Sequence, residues 1–188
     1  LKVQPTSNDE ALASVIDGKP LQELLLEQVS TIGENLTFRR YELVKKTAEQ
    51  TFGAYVHMGG KIASLVVING DNAEVAKDVA MHVAASNPKY VSQEEISDEF
   101  IAHEREVLTK EALNENAESD KPKPENIIVK MVEGRLNKNM KEICLLNQPF
   151  VKNPDETVEQ YVKSKGVSVA LFKRLDVGEG VEKKEEIF

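Results

Sequence analysis

Residues 51–88 read TFGAYVHMGGKIASLVVINGDNAEVAKDVAMHVAASNP, and the parsing of this stretch decides the fold. Gly53-Ala-Tyr-Val-His57 alternates small or polar with bulky side chains, while Lys61-Ile-Ala-Ser-Leu-Val-Val-Ile68 is a β-branched apolar run, so both predict strands. Met58-Gly59-Gly60 lies between them. Adjacent glycines accept the positive φ that a tight hairpin turn demands, which makes the pairing antiparallel. Asn69-Gly70-Asp71 breaks the second strand, and Asp71 or Asn72 then caps a helix running to about Ala85. Val75, Val79 and Val83 adjoin the row Ala76, Ala80, Ala84, so that helix has an apolar face able to lie on the sheet. Asn87-Pro88 ends it.

Working outward, 188 residues with 40% hydrophobic content suffice for one domain or two small ones. A net charge of −8, from 24 basic and 32 acidic residues, repels phosphate backbones and argues against nucleic acid as a partner. The single cysteine, Cys144, has no internal partner for a disulfide, which fits a reducing cytoplasm. The longest apolar run, Ile62 to Ile68, is interrupted by Ser64 and too short for a bilayer, and no basic-then-apolar leader opens the chain; no membrane partner is expected. The first residue is Leu1 rather than Met, which predicts a missing upstream portion, and the charged tail closing on Ile187-Phe188 reads as a segment cut short.

Residues 1–19 predict a weakly anchored start, with an Ala/Val-rich stretch from Ala11 to Ile16 ended by Asp17-Gly18-Lys-Pro20. Leucines at 21, 24, 25 and 26 with Val29 form a helical stripe that stops at Gly33. Leu36 to Val44 alternates as a strand does. Its neighbour is either the first hairpin strand or a strand of a separate sheet. Ser92-Gln-Glu-Glu95 matches a capping box, so a long helix is expected to start there, with Ile96, Phe100, Ile101, Val107 and Leu108 as a narrow seam containing seven-residue spacings. Asn114 to Pro124 is a turn, and Glu125 to about Lys141 is helical again, completing an antiparallel helical hairpin that projects from the body. Ile143 to Val151 is extended, and Pro149 confines it to an edge or loop. Asp155 or Thr157 caps a short helix through Val162, stopped by Gly166, and Val167 to Val177 is a third strand that completes the sheet until Gly178-Glu-Gly180.

The expected fold is therefore α+β: a small antiparallel three-stranded sheet covered by helices, with a projecting helical hairpin of coiled-coil type. No catalytic set emerges. Gly60-Lys61 fails as a phosphate loop, because Ile62 follows the lysine where Ser or Thr belongs and Tyr55 stands where the first glycine belongs. His57, His82 and His103 fall on a strand, a helix and the projecting hairpin with no i, i+4 pair, which favours structural or partner-contact roles over metal. Glu94-Glu95 and Glu185-Glu186 sit in polar runs, and Cys144 beside Leu145 and Leu146 reads as a small buried apolar group. Met81 belongs to a helix face that core packing explains. Pro149-Phe150-Val151 is either a surface contact or core filling, since an aromatic on a proline-stiffened loop serves both.

Six separated stretches, in one order, resemble bacterial elongation factor Ts, the nucleotide exchange factor of elongation factor Tu. They are Ile32-Gly33-Glu34-Asn35 with Arg39-Arg40; Tyr55 and His57 before a glycine turn; Ala80 to Ser86 with Pro88; Lys130-Met131-Val132-Glu133-Gly134-Arg135; Gln148-Pro149-Phe150-Val151; and Val177-Gly178-Glu179-Gly180. The resemblance covers the chain from about Gly18 to its end. It implies a non-enzymatic translation factor, without cofactor or metal, that binds elongation factor Tu in GDP-bound and nucleotide-free forms. Contacts are implied at Ile32, His57, Pro149, Phe150 and Val151, and a homodimer through the helical hairpin is the rival use of this architecture.

By the same resemblance, residues 1–46 correspond to a remnant of a first core subdomain, residues 47–91 with 142–180 to a second, residues 92–141 to a coiled-coil insertion and residues 181–188 to a truncated tail. The family's amino-terminal helical domain and Thr-Asp-Phe wedge are not found in the sequence, which implies binding with poor exchange.

Overall fold

A computed structural model describes residues 4–180, in two compact units divided between Lys45 and Lys46. The charged tail at 181–188 lies outside the described residues.

In the amino-terminal unit, helix α1 (Asn8–Ala13) starts at Ser7, whose hydroxyl accepts from the Glu10 amide. Strands β1 (Val15–Ile16) and β2 (Lys19–Pro20) form a minimal antiparallel ladder, and helix α2 (Leu21–Ile32) ends at Gly33 as its leucine stripe predicts. The expected strand from Leu36 to Val44 does not form. A strand is stabilised by ladder bonds to a neighbour, and among the described residues none is paired with this one. The segment is held by side chains instead: Asn8 Nδ2 donates to Arg39 O at 2.7 Å, Tyr41 Oη donates to Pro5 O at 2.7 Å, and the Phe38 and Tyr41 rings stack with centroids 6.4 Å apart.

The larger unit is built on the hairpin. β3 (Gln50–His57) pairs antiparallel with β4 (Ile62–Asn69) from Gln50↔Asn69 to His57↔Ile62, and β7 (Ser168–Asp176) pairs with the other edge of β4 from Ile62↔Asp176 to Asn69↔Ser168. The order β3-β4-β7 is the predicted three-stranded sheet. Met58, Gly59 and Gly60 all take positive φ at the turn (50°, 65° and 99°), so a methionine shares a conformation that glycine accepts without strain.

Helix α3 (Ala73–Ser86) is capped by Asn72, whose Oδ1 accepts from the Val75 amide, and closes on Asn87 in the left-handed region. Its predicted face is fully engaged: Val75, Ala76, Val79, Ala80 and Val83 are buried with Val66 and Ile68 of β4. Gly53 is what permits this close approach, since a Cβ there would sit 2.1 Å from the carbonyl carbon and oxygen of Ala76.

The helical hairpin consists of α4 (Asp98–Ala117) and α5 (Glu125–Ile143). Two details differ from the sequence reading. Ser92 caps nothing; Glu95 accepts from the Val91 amide at 2.8 Å within a short 3-10 turn at Gln93–Glu95, and Ser97, bonded to the Phe100 amide, starts the long helix. The reason is Ile96, whose extended backbone (φ −79°, ψ 125°) separates the two helical segments while its side chain is buried. Second, Val107 is exposed and the seam runs through Leu108 and Ala112 against Ile128, Val132, Leu136 and Met140, with Arg105–Glu133 and Arg135–Glu115 ion pairs on the flanks. A one-residue displacement on a helix turns a side chain by about 100°, enough to move Val107 off the seam.

After α5, a short ladder of β5 (Pro149–Phe150) and β6 (Asn153–Thr157) precedes helix α6 (Val158–Ser164), where Thr157 and Gln160 form a reciprocal capping box. Asp155 is not the cap.

Candidate partner-contact site

The Gln148-to-Lys152 loop is anchored by three helices. Phe150 is buried at 2% exposure, its ring stacked on Tyr161 of α6 with centroids 4.2 Å apart and tilted against His82 of α3 at 6.0 Å. Of the two readings that the sequence left open for Phe150, core filling is the one realised. Named among the contact residues by the resemblance, Phe150 is enclosed in the free chain and anchors the loop from inside. Pro149 is exposed, and Val151 is 44% exposed at the turn.

His82 explains the turn's shape. It is fully buried, yet both ring nitrogens are bonded: Nδ1 lies 3.1 Å from the Val151 amide and Nε2 lies 2.8 Å from Gln148 Oε1. A backbone N–H can only donate, so Nδ1 accepts and the ring proton sits on Nε2, donated to Gln148. Gln148 Nε2 in turn donates to the Glu142 carbonyl at 2.7 Å, in the last turn of α5. Burial disfavours the charged ring and pushes the His82 pKa down, against the Gln148 bond, which raises it. One chain of hydrogen bonds, buried at its His82–Gln148 link, thus joins α5, α3 and the loop.

A second pairing holds the far side. Asp78, one turn before His82, accepts from Tyr161 Oη at 2.8 Å and pairs with Lys152. Burial, then the Asp78 carboxylate, raises the Tyr161 phenol well above its ordinary range. Val151 therefore projects from a turn whose two neighbours, Phe150 and Lys152, are both fixed.

His57 ends β3 in an exposed position, its ring stacked near Tyr55 with centroids 5.9 Å apart and Nδ1 3.4 Å from the Tyr55 hydroxyl. Ser64 Oγ donates to Ala80 O, and Arg174 Nε donates to Ala84 O. These bonds lay the C-terminal half of α3 over the turn end of the hairpin, where His57 stands. Exposed Met58 and Val177 flank the same end, with the Val177 amide donating to Lys61 O at 2.8 Å. Ile32, the last residue of α2, is 54% exposed in the amino-terminal unit.

Sequence reasoning missed Gln148, Asp78, Tyr161 and Met58. The adjacency of Gln148 to Pro149 was visible; that it meets a histidine 66 positions earlier was not. Among the described residues, no group of three His, Cys, Asp or Glu side chains converges to hold a metal, and no helix is long and apolar enough to cross a membrane. Cys144 is fully buried, and burial raises its thiol pKa, which suppresses the thiolate.

A three-stranded sheet with a covering helix, a helical hairpin and an apolar residue exposed on a hydrogen-bonded turn define an α+β protein. A profile of the elongation factor TS family matches residues 1–179, and the chain belongs to that family. Its role is that of a translation elongation factor of the Ts type.

Proposed function

We propose that this chain binds elongation factor Tu in its GDP-bound and nucleotide-free forms and promotes GDP release in the cytoplasm, with no covalent chemistry of its own. The observation that carries the reading is the turn at Val151, an exposed aliphatic residue fixed by buried neighbours in a chain of this family. A preorganised apolar contact loses little conformational freedom on docking, which favours affinity. Ile32, His57, Pro149 and Val151 are the contact residues, and Phe150 holds the loop from inside.

Exchange follows from linkage: a protein that prefers the nucleotide-free partner weakens GDP by the same factor. Within this reading, residues 47–91 and 142–180 form one core subdomain, residues 92–141 an inserted hairpin, and residues 1–46 belong to another.

Calorimetry with elongation factor Tu and stopped-flow release of fluorescent GDP test the reading together. Val151→Asp and His57→Ala each weaken binding, Val151→Asp by at least about tenfold, since it places a charge in an apolar contact. Unchanged affinity with both variants folded would remove these residues from the interface.

A second reading is self-association through the helical hairpin, favoured by Leu113 and Val129, which are 49% and 55% exposed on its flank. Light scattering on Leu113→Lys with Val129→Lys separates the two: loss of a dimer with partner binding intact assigns the hairpin to self-association, and a monomer at every concentration in the parent chain excludes it.

A further inference from the structure

Gln148 and His82 are buried polar side chains that the exchange reading leaves without a task. Gln148 is 8% exposed and His82 fully enclosed, and buried polar groups are costly unless every bonding atom is satisfied. An apolar pair of the same volume would fill this part of the core at lower cost. What such a pair lacks is an acceptor for the Val151 amide.

That amide sits in a tight turn. Phe150 pairs with Asn153, which leaves Val151 and Lys152 at the tip and gives the Val151 N–H no partner in the β5–β6 ladder. Its partner is His82 Nδ1 at 3.1 Å. The histidine can serve only while its proton stays on Nε2, and Gln148 Oε1 at 2.8 Å selects that tautomer by accepting it. The Gln148 amide is in turn oriented by its donation to the Glu142 carbonyl at 2.7 Å, so the sense of the whole chain is set at the base of the helical hairpin.

We propose that Gln148 and His82 are positioning residues for partner binding: a directed hydrogen-bond chain from the last turn of α5 fixes the Val151 amide and hence the presentation of the Val151 side chain. The proposal rests on Val151 being a contact of the GTPase partner. It makes the hairpin base and the contact loop one mechanical element, so that a displacement of the last turn of α5 is felt at Val151.

The test compares two substitutions at one position in the full chain. His82→Phe keeps a ring and removes the acceptor; His82→Asn shrinks the side chain but places an amide oxygen where Nδ1 stands. Affinity for elongation factor Tu is measured by calorimetry, and exchange of the Val151 amide by NMR in the free chain. Leaving the part-buried Val151 donor without its acceptor predicts that His82→Phe weakens binding about tenfold and accelerates amide exchange at least as much. His82→Asn restores both to within about threefold, although its smaller side chain lowers stability. A purely structural histidine gives the reverse order, with affinity following stability, and that result overturns the proposal.

Gln148→Met provides a second variant should His82→Phe fail to fold. It removes the bond that selects the tautomer, so faster Val151 exchange supports the chain and unchanged exchange overturns it. Wild-type binding that Val151→Asp abolishes and His82→Phe leaves alone overturns the positioning role only. Absence of wild-type binding overturns the partner reading and this inference with it.

Discussion

The same substitution, glycine to alanine, is expected to have opposite effects at two positions. At Gly53 a Cβ would lie 2.1 Å from the carbonyl carbon and oxygen of Ala76 and 2.6 Å from the Lys77 nitrogen. These are backbone atoms inside a helix and cannot rotate away. Restoring ordinary contact at 3.4 Å requires α3 and β3 to separate by about 1.3 Å at this point. A gap of that size forfeits about half of the dispersion attraction across the face that Val75, Ala76, Val79 and Ala80 share with Val66 and Ile68.

The expected cost is at the upper end of overpacking, about 3 kcal/mol. With a denaturant slope of about 2 kcal/mol per molar urea, the midpoint falls by roughly 1.5 M. Because α3 carries His82, partner affinity falls too. At Gly134, in the middle of α5, an added Cβ meets nothing within 4 Å, so alanine removes only the helix penalty of glycine and raises stability by up to about 1 kcal/mol. Urea unfolding followed by circular dichroism reads both variants. A Gly53→Ala midpoint within about 0.3 M of the parent would refute the packing argument.

Two further outcomes concern the anchored loop. Burial lowers the His82 pKa below its unfolded value of 6.5, so the unfolded chain takes up a proton that the folded chain refuses. The associated stability is complete above about pH 6.5 and is lost as pH falls through that value toward the lowered pKa; His82→Asn should flatten this part of a stability-against-pH curve, and an unaltered slope would count against a neutral buried ring. Tyr161→Phe keeps the stack on Phe150 and removes the bond to Asp78, so a loss of about 1 kcal/mol in urea unfolding is expected, and no loss would show that the Lys152 pair alone satisfies Asp78.

Much of this protein is decided by local chemistry that the sequence displays. The hairpin from Gln50 to Asn69, the α3 face, the Gly33 stop of α2, the short helix before Gly166 and the strand that follows it are legible from periodicity, caps and glycines within a few residues of one another. Such signals act over one turn of helix or one pleat of strand and need no distant partner. Where two local solutions competed, neighbours outside the window chose. Ile96, drawn into the core of the helical hairpin, moved the helix start from Ser92 to Ser97.

Tertiary structure alone decided the rest. Leu36 to Val44 has the alternation of a strand, but alternation specifies faces and not a hydrogen-bonding edge, and without an edge the segment was fixed by Asn8 and Tyr41 instead. Whether Phe150 faced solvent or core depended on Tyr161 and His82 being there to receive it. The bond from His82 to Gln148 spans 66 positions, and neither residue type announces the other; only the packing of α3 against the loop brings a donor and an acceptor to 2.8 Å, where burial makes the bond obligatory.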